Sequence, residues 1–265
     1  MSTLTLSIVQ TNLHWEDPEA NRKMLEQKIN LLAGKTEIVL LPEMFSTGFS
    51  MRPEVLAETM DGPTIRWMRD LASGLGLILA GSLIIEEGGK WFNRLIWMLP
   101  TGSFGFYDKR HLFAFGGEDK KFVAGENRLI ASVKGWKINL QVCYDLRFPV
   151  WSRQGHPPDE GGPEYDLLLY VANWPERRSL AWKSLLQARA IENQCYVVGV
   201  NRVGEDGGHI LYSGDSRIID PSGEILYEKA HDEDLFTCTL DKSELDDWRS
   251  AYPFLRDADR FRINT

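Results

Sequence analysis

A cysteine that follows a strand and begins a turn is the residue in this sequence best suited to covalent chemistry. Cys143 comes after residues 138–142, whose alternation of apolar and polar side chains is typical of a half-buried strand. The pair Phe148-Pro149 prevents that strand from continuing. A thiol in this position lies at the edge of a sheet, where the N–H of Tyr144 can donate to a developing oxyanion. The alternative is a structural cysteine, because free cysteines are among the most buried residues.

A carboxylate and an ammonium group follow predicted strands in a comparable way. Glu43 ends the apolar run 37–42, and Lys109 follows the strand 104–107. Side chains just past the ends of strands gather along one edge of an α/β sheet, where ligands bind. The carboxylate can accept the proton of Cys143, and the ammonium can lower the thiol pKa and later bind an oxyanion.

Two neighbouring basic residues offer alternatives to this set. His111 is the histidine nearest a reactive segment, so a Cys143–His111 dyad like that of papain-like hydrolases is one hypothesis. The sequence lacks the local signatures of cysteine proteases, and the carboxylate–ammonium–thiol set accounts for more of it. Arg110 remains an alternative to Lys109 as the cation. No glycine-rich nucleotide motif and no Gly-x-Ser-x-Gly pattern is present, so a nucleotide site or a serine hydrolase gains no support.

The composition excludes several functional classes. The 265-residue chain is 43% hydrophobic, and its formal net charge of −8 argues against binding to nucleic acid. Its three cysteines are scattered and form no Cys-x-x-Cys pair, so neither a disulfide scaffold nor a metal site is predicted. No signal peptide and no apolar run of the ~20 residues needed to span a bilayer is present. We therefore expect a soluble, cytoplasmic protein with free thiols that does not interact with membranes.

Many strands and a few helices must position these reactive residues. Helices are predicted from Asp17-Pro18 to Gly34, from Asp61-Gly-Pro63 to Gly74, and over 179–193. The predicted strands are 4–10, 37–42, 75–85, 91–99, 104–107, 129–133, 136–142, 166–172, 196–201, a pair within 214–227, and 235–240. The simplest packing is an α/β fold with two sheets face to face and helices outside, a four-layer α-β-β-α sandwich in one domain, 1–265. The segment 155–163 is predicted to be an exposed loop.

Three segments of the chain resemble the nitrilase (carbon–nitrogen hydrolase) superfamily. They are Leu-Pro-Glu43-Met-Phe, Tyr-Asp-Lys109-Arg-His-Leu and Val-Cys143-Tyr-Asp-Leu-Arg-Phe-Pro, which occur in the order of that family. Segments 172–175 and 187–193 are also similar, so the resemblance extends from about residue 4 to about residue 240. It implies the same α-β-β-α layering. Within the superfamily, the stretches 45–49, 145–153 and 188–194 look most like bacterial ω-amidases, which deamidate 2-oxoglutaramate and 2-oxosuccinamate.

The resemblance implies an amidase that hydrolyses a small-molecule amide through a thioester, without a metal or an organic cofactor. In that interpretation Cys143 is the nucleophile, Glu43 is the general base, and Lys109 with the N–H of Tyr144 stabilises the oxyanion. Other amidases, carbamoylases and nitrilases of the superfamily remain alternatives, as does a non-catalytic binding protein of the same fold. The resemblance also implies a homodimer or a larger homo-oligomer. The apolar residues 251–255, within the charged tail 241–265, would suit docking on a partner subunit.

A fourth polar residue of the family pattern falls at Glu118. The resemblance implies that it steadies the lysine and the substrate, with Asp119 and Glu126 as nearby alternatives.

Two further residues are candidates for contact with the substrate. Trp174 is either a core aromatic or a wall of the pocket. Arg147 either forms a structural ion pair, with Asp145 or near Glu43, or binds a substrate carboxylate bidentately. The structural interpretation of Arg147 is favoured.

Overall fold

The computed structural model describes residues 2–154, 162–259, 261 and 263. Residues 155–161, most of the predicted loop 155–163, lie outside the described residues. The helices are α1 (Pro18–Asn30), α2 (Pro53–Leu56), α3 (Pro63–Leu75), α4 (Pro149–Ser152), α5 (Ser179–Asn193) and α6 (Lys242–Ala251). The strands are β1 (Thr3–Gln10), β2 (Ile38–Leu40), β3 (Ile78–Glu87), β4 (Lys90–Met98), β5 (Phe104–Asp108), β6 (Leu129–Val133), β7 (Trp136–Val142), β8 (Leu167–Val171), β9 (Tyr196–Val200), β10 (Val203–Glu205), β11 (Leu211–Ile219), β12 (Ile225–Ala230) and β13 (Asp234–Asp241).

The strands form two sheets. The first sheet has the order β13-β1-β2-β3-β4-β5, and the second has the order β10-β11-β9-β8-β7-β6, with β12 paired to β11. Strands β1 to β3 are parallel to one another, as are β7 to β9, while the hairpins β3–β4–β5 and β6–β7 are antiparallel. Parallel central strands are buried on both faces, which explains the continuous apolar runs that predicted them.

Two apolar clusters hold the layers together. Alternate residues of β1 point to opposite faces: Ile8 joins the cluster that the two sheets share, and Val9 joins the cluster beneath α1 and α3. On the other side of the molecule, α5 packs so closely on β9 that a Cβ at Gly199 would lie 2.5 Å from Leu186. The layers are therefore helices, first sheet, second sheet and helix, and the α-β-β-α sandwich predicted from the sequence is confirmed.

The structure corrects the boundary between α3 and β3. The helix runs through Leu75 and ends at Gly76, whose φ of 67° is the left-handed conformation that glycine adopts easily. It therefore does not end at Gly74, and the strand begins at Ile78 rather than at residue 75. Gly74 and Gly76 are both possible helix ends in the sequence, and the helix ends at Gly76.

The C-terminal segment contains a helix that the sequence analysis did not predict. The Asp241 side chain caps α6 by accepting a hydrogen bond from the Ser243 N–H at 2.8 Å. Beyond the helix, Leu255 is buried against its own chain, whereas Tyr252 and Phe254 are exposed. Docking of residues 251–255 on a partner subunit stays a prediction. In the part of the chain that the structure describes, no helix is long and apolar enough to cross a membrane.

A glycine beside Lys109 gives a first testable prediction. The Gly125 N–H donates to the Lys109 carbonyl at 3.0 Å, and a Cβ at Gly125 would lie 2.1 Å from the Asp108 carbonyl oxygen. Because this neighbour is backbone, we expect Gly125→Ala to lower the free energy of unfolding by about 1–3 kcal/mol, measured by urea denaturation.

The matched control for that prediction is Gly74→Ala. Gly74 lies within α3, and a Cβ there would meet nothing within 4 Å. The same substitution should therefore raise the free energy of unfolding, by up to about 1 kcal/mol, since alanine favours the helix. Equal effects of the two changes would show that the Gly125 contact does not constrain the loop.

Candidate active site

The three predicted reactive side chains come from both sheets and lie together. Glu43 follows β2 and Lys109 follows β5 in the first sheet, whereas Cys143 follows β7 in the second. The Lys109 Nζ lies 2.9 Å from Glu43 Oε1, and the Glu43 carboxylate is close enough to the Cys143 thiol to raise the pKa of that thiol. Glu43 and Lys109 are buried, and Cys143 is 8% exposed. A carboxylate, an ammonium and a thiol therefore share one small volume between the sheets.

A second carboxylate completes the environment of the ammonium. Lys109 Nζ also lies 2.8 Å from Glu118 Oε2, and the Phe113 N–H donates to the same oxygen at 2.6 Å. The structure thus brings Glu118 into contact with Lys109, whereas Asp119 and Glu126 are exposed.

Two asparagines that the sequence analysis missed hold the carboxylates in place. Asn93 Nδ2 donates to Glu43 Oε1 at 2.8 Å and to Glu118 Oε1 at 3.1 Å. The Asn173 N–H donates to Glu43 Oε2 at 2.8 Å, and its side chain donates to the Glu43 carbonyl at 2.5 Å. Asn173 follows the end of the buried strand β8, so the strand-end rule that found the other residues could have found it. Asn93 lies inside β4, where no local signal distinguishes it.

The backbone turns sharply at Cys143, and hydrogen bonds to the Asp145 carboxylate hold the turn in place. Cys143 has a φ of 44°, in the left-handed region that residues with a side chain rarely occupy. The buried Asp145 carboxylate fixes this turn, because it accepts hydrogen bonds from the Val142 N–H at 3.0 Å, the His111 N–H at 2.9 Å and the Tyr107 hydroxyl at 2.8 Å. The sharp turn predicted after the strand is present, and Cys143 at its start lines the same cavity as Lys109.

The electrostatics of the site favour a neutral thiol and a charged lysine at rest. Burial and the nearby Glu43 carboxylate raise the pKa of Cys143 well above its ordinary value, and Lys109 only partly offsets this. Burial alone would lower the pKa of Lys109, but Glu118 and Glu43 raise it above its usual range. Burial also raises the pKa of Glu118. Lys109 does lower the pKa of the thiol, but burial and Glu43 raise it by more, so the thiol must transfer its proton to a base when it reacts.

A cavity of about 420 Å³ opens onto these groups. Lys109 and Cys143 lie in its lining, together with Phe113, Tyr144 and Trp174. Trp174 has both of the roles considered for it, because it lines the cavity and also packs on the buried Trp182 at a ring distance of 5.5 Å. In the described ranges, no group of three or more His, Cys, Asp or Glu side chains is arranged to hold a metal ion.

The alternative basic residues make other contacts. His111 Nδ1 is 2.8 Å from Asp145 Oδ1, and its ring stacks on Phe148 at a centroid distance of 3.9 Å. Arg110 donates to the Gly125 carbonyl at 3.1 Å. Neither contact involves Cys143, so the geometry gives no support to a Cys143–His111 dyad.

The structural ion pair favoured for Arg147 is not formed. The oxygens of Asp145 are occupied by the groups that fix the turn, and within the described residues Arg147 forms no ion pair. Its guanidinium lies 4.8 Å from the centroid of the Trp174 ring, and the side chain lines the cavity. The second role considered for Arg147, contact with a substrate, fits this position.

Comparison with known proteins agrees with these observations. Residues 5–250 match the carbon-nitrogen hydrolase family. The chain is 41% identical to the omega-amidase YafV of Escherichia coli over 264 residues, which cover 99% of this chain and 100% of that protein. It is 31% identical to the 2-oxoglutaramate amidase of Bacillus subtilis over 256 residues, which cover 96% of each. The crystal structure of XC1258 from Xanthomonas campestris, described as a CN-hydrolase superfamily protein with an arsenic adduct in the active site, superposes with a TM-score of 0.96 at 45% identity over 100% of both chains.

Proposed function

Because this chain belongs to the carbon–nitrogen hydrolase family and is a hydrolase that acts on amides, we propose that it hydrolyses the terminal amide of a small ω-amide such as 2-oxoglutaramate. The products are the corresponding carboxylic acid and ammonia. The relatives named as an omega-amidase and a 2-oxoglutaramate amidase match nearly the whole chain, which supports this class of substrate.

The reaction proceeds through a thioester on Cys143. The observation that carries this proposal is the position of the Cys143 thiol in the same cavity lining as Lys109, whose Nζ lies 2.9 Å from the Glu43 carboxylate, together with the raised pKa of the thiol. A protonated thiol is a weak nucleophile, so Glu43 accepts its proton as the sulfur attacks the carbonyl carbon of the amide. A new C–S bond forms, and the carbonyl electron pair moves to the oxygen.

Lys109 and the N–H of Tyr144 stabilise the resulting oxyanion. Lys109 suits this role because its neighbours Glu43 and Glu118 keep it charged in a buried site, where electrostatic interactions are strong. When the tetrahedral intermediate collapses, protonated Glu43 gives its proton to the departing ammonia. The same carboxylate then deprotonates a water molecule, which attacks the thioester and releases the acid and the thiol.

Ammonia release from a panel of small molecules tests the substrate. The panel contains 2-oxoglutaramate, 2-oxosuccinamate, an aliphatic nitrile of the same length and an N-carbamoyl amino acid. We expect the ω-amides to have the highest kcat/KM. A nitrile or carbamoyl compound hydrolysed faster than every ω-amide would overturn the proposed substrate class.

Mass spectrometry of the intact protein tests the thioester. In samples quenched with acid during turnover of 2-oxoglutaramate, we expect an acyl adduct that maps to Cys143. An adduct on Cys195 or Cys238 instead would assign the nucleophile elsewhere.

A further inference from the structure

Arginines without an acidic partner line one wall of the cavity. They are Arg147, which follows the nucleophile turn, and Arg177 and Arg178, which directly precede α5. Within the described residues none of the three forms an ion pair, whereas other arginines do, such as Arg94 with Asp108 at 2.7 Å. Three arginines with no acidic partner in the described ranges therefore line the same cavity as the Cys143 thiol.

Aromatic rings hold two of these guanidinium groups in place. Arg147 lies 4.8 Å from the ring centroid of Trp174, and Arg178 lies 5.0 Å from that of Phe113. The Trp174 Nε1–H also donates to the Arg178 carbonyl at 2.8 Å, so both arginines are tied to the same indole. Contact with aromatic faces restricts the two groups and leaves their N–H donors available.

The acidic residue Asp206 also lines the cavity, but among the described side chains it forms no ion pair with these arginines. Asp206 accepts hydrogen bonds from the N–H groups of Gly208 and Ile210 at 2.8 and 3.0 Å and from the Tyr212 hydroxyl at 2.8 Å. Its oxygens are therefore already occupied, with no bond to Arg178.

The charges of the three arginines act on one another. Burial and repulsion by Arg177 and Arg147 lower the pKa of Arg178, and the Cys143 sulfur is near enough to influence it as well. Repulsion of this kind disfavours the empty site. An anion bound there would relieve it.

We propose that Arg178, together with Arg147, binds the carboxylate of the substrate while the terminal amide at the other end of the molecule lies against Cys143. This inference rests on the proposed function and adds the residues that select its substrates. Planar guanidinium groups that are already oriented match a carboxylate bidentately, so a linear amide that bears a distal carboxylate is preferred over a neutral amide. The reactive end and the selecting end are then separate parts of one cavity.

The test compares substrates with and without the carboxylate. For Arg178→Gln and Arg147→Gln, we expect kcat/KM for 2-oxoglutaramate to fall about 10²-fold, mainly through KM, because one partner of a largely desolvated charge pair is lost. For pentanamide, a neutral amide of the same length, we expect kcat/KM to stay about the same. Arg178→Lys, which keeps the charge but not the planar fork, should show an intermediate loss with 2-oxoglutaramate.

Arg177→Gln serves as the control variant, and glutarate serves as a product-like inhibitor. Arg177→Gln removes the same charge from the preceding residue, whose side chain is exposed. The fall in kcat/KM for 2-oxoglutaramate should therefore be much smaller in Arg177→Gln than in Arg178→Gln. Competitive inhibition by glutarate should weaken in Arg178→Gln by about 10²-fold, the same factor as the expected loss of kcat/KM for 2-oxoglutaramate. Urea unfolding of each variant shows whether the fold is intact.

The possible failures are distinguishable. Equal losses on 2-oxoglutaramate and pentanamide, or a loss in Arg177→Gln as large as that in Arg178→Gln, would overturn the carboxylate site while the amidase function stands. A wild-type protein that hydrolyses no ω-amide would overturn the proposed function itself.

Discussion

Replacing Cys143 with alanine should reduce kcat for 2-oxoglutaramate by at least about 10⁴-fold and abolish the acyl adduct. The reason is that the proposed reaction has no path to a thioester without the sulfur, and the remaining groups can only polarise the carbonyl. Steady-state ammonia release and intact mass measured on the same sample give both readings.

A second cysteine provides the control for this variant. Cys238 lies on β13 and is partly exposed, so Cys238→Ala should keep both the activity and the adduct. The loss of the small Cys143 side chain leaves the turn held by Asp145, so urea unfolding should differ little between the two variants. Turnover by Cys143→Ala within about tenfold of wild type would remove Cys143 from the mechanism.

Glu43→Gln should lower the catalytic rate and, at the same time, make the Cys143 thiol easier to ionise. We expect kcat to fall by about 10²–10⁴-fold, since glutamine cannot accept the thiol proton. At the same time the pKa of Cys143 should fall, because the Glu43 carboxylate is one of the groups that raise it and its negative charge would be gone. The midpoint of the pH profile for alkylation of Cys143 by iodoacetamide should therefore move to lower pH while turnover is lost.

Glu118→Gln is the matched comparison, because it removes the other carboxylate bound to Lys109. Glu118 has a smaller effect on the pKa of Cys143 than Glu43 has, so the alkylation midpoint should move less. If Glu43→Gln left the midpoint unchanged or raised it, Glu43 would not be the partner of the thiol. A loss of activity alone would then need another cause.

Strand ends made the reactive residues predictable from the sequence. Glu43, Lys109 and Cys143 each follow a segment whose strand pattern is clear, and side chains beyond strand ends gather at an edge. In this fold that edge is shared by the two facing sheets. The two-sheet layering was also predictable, because continuous apolar runs indicate strands covered on both faces. Local pattern and chain order were sufficient for the layering and for the positions of Glu43 and Cys143, whereas the choice of Lys109 over Arg110 depended on the family resemblance.

Features that depend on the packing of distant segments were not predictable. Asn93 contacts both carboxylates from the interior of a strand, where a polar side chain has no recognisable signal. The raised pKa of Cys143 follows from burial and from the position of Glu43, which residue types alone do not give. The ion pair favoured for Arg147 failed for a similar reason, since Asp145 is already engaged by Tyr107 and His111, more than thirty residues away in sequence.

The proposed nucleophile and its proposed base follow strands of different sheets, and this division has a consequence for how activity appears during folding. Residues up to Lys109 supply the carboxylate and the ammonium from the first sheet, and the thiol arrives only with the second sheet. Neither sheet alone carries the carboxylate, the ammonium and the thiol, so under the proposed mechanism hydrolysis begins only when the two sheets pack together. The rate at which amidase activity returns during refolding should therefore report the packing of the two sheets, independently of any signal from secondary structure.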